Sequence, residues 1–199
     1  RLVTGGVLVR CHHGVLRVAT APDTFEARCA AATAADPALV VTGPAAARLW
    51  EFRHVWRVER PIVLAPHGSR AVTGALTIRR TNVLDRSDWR LRPDGIRVAT
   101  PVRAWFDCPQ DLDDDRFERL TEWVLDRHTS VPVLLRMARR LQARGRDGSA
   151  RVTRVFGGRP AWLKPAGSGI ELQVFKALDR AGVRGLVRQQ PIELANGRT

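Results

Sequence analysis

Glu171 closes the run Ser168-Gly169-Ile170-Glu171. A serine followed three residues later by glutamate is a capping box, in which the serine bonds the N3 amide and the glutamate reaches back toward the cap. The same carboxylate is a candidate catalytic group, because carboxylates hold the divalent cations that activate water. Such hydrolysis needs at least two converging carboxylates, and one glutamate cannot perform it, so both roles stay open. The acidic run Asp113-Asp114-Asp115 precedes an apolar helical period and suits the positive end of a helix dipole. Cys11-His12-His13 lacks a second ligand pair at zinc spacing, and the three cysteines form no C-x-x-C. The histidines are scattered, and no Gly-x-Ser-x-Gly, His-Glu-x-x-His or phosphate-loop pattern occurs. No cofactor and no metal are assigned to this stretch.

Arginine is the other chemistry-bearing residue. The net charge is +13, and Lys164 and Lys176 are the only lysines. Guanidinium binds phosphate with a planar two-toothed fork, so a surface of this kind attracts polyanions. An arginine-rich codon bias would produce the same composition without a ligand. The candidate nucleic-acid contacts are Arg10, Arg17, Arg79 and Arg80, in or beside strand-like segments, with Arg136 and Arg140 on a helix. Solvated surface is the alternative at Arg10, Arg17, Arg79 and Arg80. Trp50, Trp56, Trp89, Trp105 and Trp123 fall within apolar patterns and read as core rather than as base-stacking platforms.

The elements that must position these residues follow from turn chemistry and periodicity. Segments 7–10 and 15–18 read as a hairpin turned at His13-Gly14, since glycine supplies the positive φ of a tight turn. Asp23 or Thr24 caps a helix over 25–35 that Asp36-Pro37 closes. A buried strand at 39–41 and a helix at 45–52 come next, then strands at 61–65, 75–79 and 96–98. Pro101 starts a short helix through Asp107. Phe117, Leu120, Thr121, Val124 and Leu125 mark one amphipathic helix; Leu134, Leu135, Ala138 and Leu141 mark a second, capped by Ser130 and ended by Gly145. The two are expected to pack as an antiparallel hairpin. Glu118, Glu122 and Asp126 would then face Arg136, Arg140 and Arg144 across it, with phosphate binding as the alternative use of those arginines.

From Gly145 to Gly169 the chain turns rich in Gly, Arg, Pro and Ser, the clearest boundary signal in the sequence. A helix through Ala181 follows, then a strand over 186–190 and a hairpin signal at Asn196-Gly197. No apolar run reaches the roughly 18 residues of a membrane span, and no signal peptide is visible, so no membrane partner and a cytoplasmic location are expected.

Three stretches carry a resemblance to a bacterial family that joins an AbiEi-antitoxin-like module to a very-short-patch-repair (Vsr)-like endonuclease domain. Residues 6–18 are similar to the family's wing hairpin, with Leu16 in place of a tyrosine. Residues 41–50 resemble its Ser-His-x-Ser-Ala-Ala-x-Leu segment, with Thr42 for serine and Glu51 for the glycine that follows. Residues 96–107 resemble its Val-Thr-x-x-x-Arg-Thr-Leu-x-Asp box, matching at Arg103 and Asp107 and replacing threonines with Ala99 and Ala104. A fourth match, residues 167–171, is similar to the Ser-x-x-Glu that opens the first helix of a restriction-endonuclease-like fold.

The resemblance implies an α+β chain: a winged-helix remnant (1–20), an AbiEi-like mixed α/β middle domain with a helical hairpin (21–145), a linker (146–167), and the first helix and strand of a nuclease domain (168–199). It implies a DNA-associated protein of defence or toxin-antitoxin type, with Glu171 an outer acid of an incomplete site. The main metal-binding carboxylates, and the Mg2+ they would hold in the intact protein, are expected beyond Thr199. The competing expectation is a protein-binding regulator that docks a partner toxin and has no nuclease activity.

Overall fold

The computed structural model describes residues 2–55, 58–69, 74–142, 148–159 and 163–188. Their architecture is α+β, a five-stranded mixed sheet, a separate two-stranded hairpin and seven α-helices. The hairpin pairs β1 (Leu8–His12) with β2 (Val15–Val18), and Gly14 at φ 74° makes the turn that the sequence signalled. A register shift between Arg10 and His12 marks a bulge.

Helix α1 (Phe25–Ala35) packs on the hairpin and on β3 (Val40–Val41). Thr24 caps it, the hydroxyl accepting from the Ala27 amide at 3.0 Å. In the sheet the order is β5-β4-β3-β7-β6, with β4 (Ile62–Pro66), β5 (Thr77–Thr81), β6 (Trp89–Leu91) and β7 (Arg97–Ala99). β3 lies parallel to β7 and antiparallel to β4, and β4 runs parallel to β5. The interior strands are unbroken apolar runs, Val40-Val41 and Ile62-Val63-Leu64-Ala65, all buried. Strands covered on both faces read this way, rather than as alternating patterns.

Beyond the sheet, α2 (Gly43–Leu49) and α3 (Pro101–Asp107) pack together, and both touch β7. Helices α4 (Asp114–Arg127) and α5 (Val131–Leu141) each pack on α3. Their charged stripes do not meet, contrary to the sequence expectation. Glu122 takes Arg159 and Arg188, Glu118 takes Lys176, Asp126 takes its neighbour Arg127, and Arg140 reaches Asp85 and Asp88. Arg144 and the expected stop at Gly145 lie outside the described residues; α5 ends at Leu141.

Within the stretch expected as a linker, α6 (Ser149–Phe156) forms and packs on α4. Val152 and Phe156 enter the core, and the Phe156 ring meets that of Trp105 edge-on at 5.2 Å. Trp105 is fully buried, stacks on Phe117 at 5.5 Å and donates its indole N–H to Thr121 at 2.9 Å. Helix α7 (Gly169–Arg180) follows, with Gly182 at φ 81° just past its end. Leu186, Val187 and Arg188 form no strand, and the remainder of the expected strand and the Asn196-Gly197 turn lie outside the described residues.

Candidate nucleic-acid interface

Arg103 is the centre of a buried polar network that runs from the turn before β6 to β5. It sits in α3 because Thr100 caps that helix and Pro101 fits its first turn. Its side chain is 0% exposed, with Nε donating to Asp107 Oδ2 at 2.7 Å and Nη1 to Asp88 Oδ2 at 3.2 Å. The same nitrogen donates to the Val83 carbonyl at 2.8 Å, and Thr42 Oγ1 donates to Asp107 Oδ2 at 2.6 Å. Asp88 closes a capping box with Asp85 in the turn before β6, accepting from the Asp85 amide at 2.9 Å. Buried charge is tolerable only when paired and hydrogen-bonded in this way.

Arg79 extends the network. Its Nη1 donates to the Asp107 carbonyl at 2.8 Å, and its Nη2 donates to both carboxylate oxygens of Asp111 at 2.6 and 2.7 Å. Gly43 is required here: at φ +53° a Cβ would stand 2.7 Å from Arg79 Nη1 and 3.1 Å from the Asp107 carbonyl oxygen. Thr42, Gly43, Arg103 and Asp107 therefore all sit in this one buried cluster.

Over this network lies a groove of about 550 Å3 between α5 and the turn before β6, with Val102, Val133 and Met137 among its apolar lining. Arg140 spans its rim to Asp85 and Asp88. Arg90 and Arg136 also line it; both are exposed, and neither has an acidic partner among the described residues. On the hairpin, Arg10 is likewise exposed and without an acidic partner among the described residues. Arg80 is exposed and donates to the carbonyls of Pro66 at 3.2 Å and Ser69 at 2.7 Å. Arg17 is half-buried and donates to the Ala21 carbonyl.

The six arginines singled out from sequence thus separate. Arg136 and Arg140 share the groove, Arg10 and Arg17 share the hairpin, and Arg79 with Arg80 stands on β5, Arg79 turned into the interior ion-pair network. Sequence reasoning missed Arg90, Asp85 and Asp88. Asp85 and Asp88 had a signal, the Asp-x-x-Asp spacing of a capping box; Arg90 had none.

Glu171 serves as a cap. Ser168 Oγ accepts from the Glu171 amide at 3.1 Å, and the Glu171 carboxylate accepts from the Gly167 amide at 2.6 Å. Among the described residues no group of three or more His, Cys, Asp or Glu side chains is placed to hold a metal ion. The first-turn acids of α4 are also in use: Asp113 caps the helix, Asp115 pairs with Arg119, and Asp114 is held by Arg154 and Arg151. Hydrogen bonds from Arg154 and Arg151 depress the Asp114 carboxyl well below the ordinary carboxylate range. Burial pushes the Cys29 thiol up to about 12 and raises Cys108 as well, so neither supplies a thiolate near neutrality.

A second ionic cluster joins α4 to the segment before α7. Glu122, 5% exposed, accepts from Arg159, from Arg188 at 3.1 Å and from the Ala166 amide at 2.8 Å. Lys176 of α7 pairs with Glu118.

No family model and no curated protein matches the chain. Among solved structures, the crystal structure of the Rv2827c protein from Mycobacterium tuberculosis is similar at 18% identity and a TM-score of 0.41. The match covers 91% of this chain and 80% of that one, a likeness too loose to assign function.

Proposed function

We propose that this chain is a DNA-associated protein that holds the phosphate backbone through Arg90 and Arg136 of the groove and Arg10 of the hairpin. The observation that carries the reading is that these three exposed arginines have no acidic partner among the described residues, on a chain of net charge +13 whose Arg79 and Arg103 are paired in the interior. An exposed guanidinium without a carboxylate keeps its full attraction for phosphate. Arg140 and Arg80 border the same surfaces and add long-range field more than direct contacts. The resemblance supports placing the protein among cytoplasmic bacterial defence or toxin-antitoxin systems. It also supports an intact form in which α7 opens a Mg2+-dependent endonuclease, with Glu171 at the edge of a site completed by later strands.

A second reading, docking of a partner toxin without nuclease activity, is favoured by one observation. Val7, Leu16 and Val18 are each about half exposed on the hairpin, with Leu2 and Val3 beside them. Binding to a labelled duplex across a salt series, with Mg2+ added in parallel, separates the two. Phosphate neutralisation makes affinity fall steeply with salt, whereas apolar docking barely responds. Salt-sensitive binding without cleavage is expected for this chain; no binding at low salt would move the assignment to the docking regulator.

A further inference from the structure

We propose that the cavity between the hairpin and α1 is a binding site for a small apolar carboxylic acid, with Arg17 as its counter-ion. The cavity holds about 230 Å3 and is walled by Val9, Ala27, Ala31, Pro61 and Leu76, with Arg17 in the wall. Apolar cavities of about 150 Å3 already admit a benzene ring, so this one has room for a single ring and a carboxylate. Ala27 and Ala31 of α1 make one wall apolar, while Arg10, His12, Asp23 and Arg28 make the rest of the lining polar.

Arg17 supplies the polar anchor. Cross-strand pairing of Val9 with Arg17 places both on one face of the hairpin. The guanidinium is half-buried and donates to the Ala21 carbonyl, while its Nε is buried without a hydrogen-bond partner among the described residues. No carboxylate pairs with it there. The neighbouring charges at the rim are satisfied: Arg28 takes Asp23 at 3.3 Å and donates to the Glu59 carbonyl at 3.0 Å. His12 is held toward its neutral form by burial, so the cations of the lining without an acidic partner among the described residues are the half-buried Arg17 and, at the open side, the exposed Arg10. A guanidinium in an apolar wall favours a ligand that brings the opposite charge and an apolar body. Neutral apolar molecules would leave the cation unsatisfied; a free phosphate would leave the alanine wall unfilled. Binding would clamp the hairpin to α1, whichever partner the hairpin's outer side serves, and the inference does not rest on DNA association.

The test uses the full chain with benzoate and its neutral counterpart benzyl alcohol as probes, read by saturation-transfer NMR. Benzoate should bind about tenfold more tightly than benzyl alcohol, the scale of one charge-assisted hydrogen bond. Arg17→Gln should bring benzoate down to the affinity of the alcohol. Ala31→Leu, which fills the cavity while keeping a good helix former, should abolish transfer to both, with circular dichroism unchanged. Absence of transfer to benzoate at millimolar concentration would overturn the proposal. So would benzoate binding that survives both Arg17→Gln and Ala31→Leu, since it would then come from the exposed arginines elsewhere.

Discussion

Two regions of this molecule use the same side chain in opposite ways. Around α3, Arg79 and Arg103 are drawn inside and matched to Asp107, Asp88 and Asp111. In the groove above and on the hairpin, Arg90, Arg136 and Arg10 are exposed and make no ion pair among the described residues. The difference teaches which arginines the fold consumes and which it leaves over. An inward arginine is fixed by geometry, and its loss strands buried carboxylates; an outward one contributes almost nothing to stability, so its presence asks for another use.

The largest effect expected is at Arg103. Arg103→Ala removes the buried guanidinium that Asp107 and Asp88 share, leaving Asp88 with Arg140 and Asp107 with Thr42, and should cost about 3–5 kcal/mol in chemical denaturation. A loss below about 1 kcal/mol would mean the network does not hold α3 to its surroundings. Next comes Glu122→Gln, which removes the charge that Arg159 and Arg188 share. Amide exchange in Gly169–Arg180 should accelerate while the core around Trp105 keeps its protection; uniform acceleration would show that α7 is not held locally.

A smaller effect is expected at Arg140, which belongs to both regions. Arg140→Glu sets a negative charge against Asp85 and Asp88, so the melting temperature should fall and duplex affinity should weaken with it. Weakened affinity at unchanged stability would make Arg140 a direct phosphate contact; loss of stability at unchanged affinity would remove it from the interface. The smallest effect is at Asp114. Its depressed carboxyl contributes stability that is fully present above the unfolded value near 3.9 and is lost as pH falls through the folded value. Asp114→Asn should therefore lower the melting temperature slightly at pH 7, and the gap from the parent should close in strong acid. A gap independent of pH would point to altered hydrogen-bond geometry with Arg151 and Arg154 rather than to the lost charge.

Much of the fold was legible because local chemistry spoke for it. Gly14 announced the hairpin turn, Thr24 and Asp113 the starts of α1 and α4, and Ser168 with Glu171 the start of α7. α6 was hidden because its two buried anchors, Val152 and Phe156, are four residues apart in a stretch of arginine and glycine. β6 was hidden because three residues are too few to show a period. The site was less legible. The partners of Glu122 are 37 and 66 residues away, and those of Arg140 are 52 and 55 away. No spacing rule reaches across such separations, so facing stripes on α4 and α5 looked natural from sequence alone. The singled-out arginines were found by charge, but which of them face outward depended on where Asp88, Asp107 and Asp111 came to rest.

The most direct test of the central claim is the salt dependence of duplex binding by the parent chain and by an Arg90→Ala, Arg136→Ala double variant. If these side chains neutralise phosphates, the slope of log affinity against log salt should become shallower by about 2, near 0.9 per phosphate contact, with the melting temperature unchanged. Equal slopes for the two proteins, or no duplex binding by the parent at low salt, would contradict the assignment of the groove as a nucleic-acid interface.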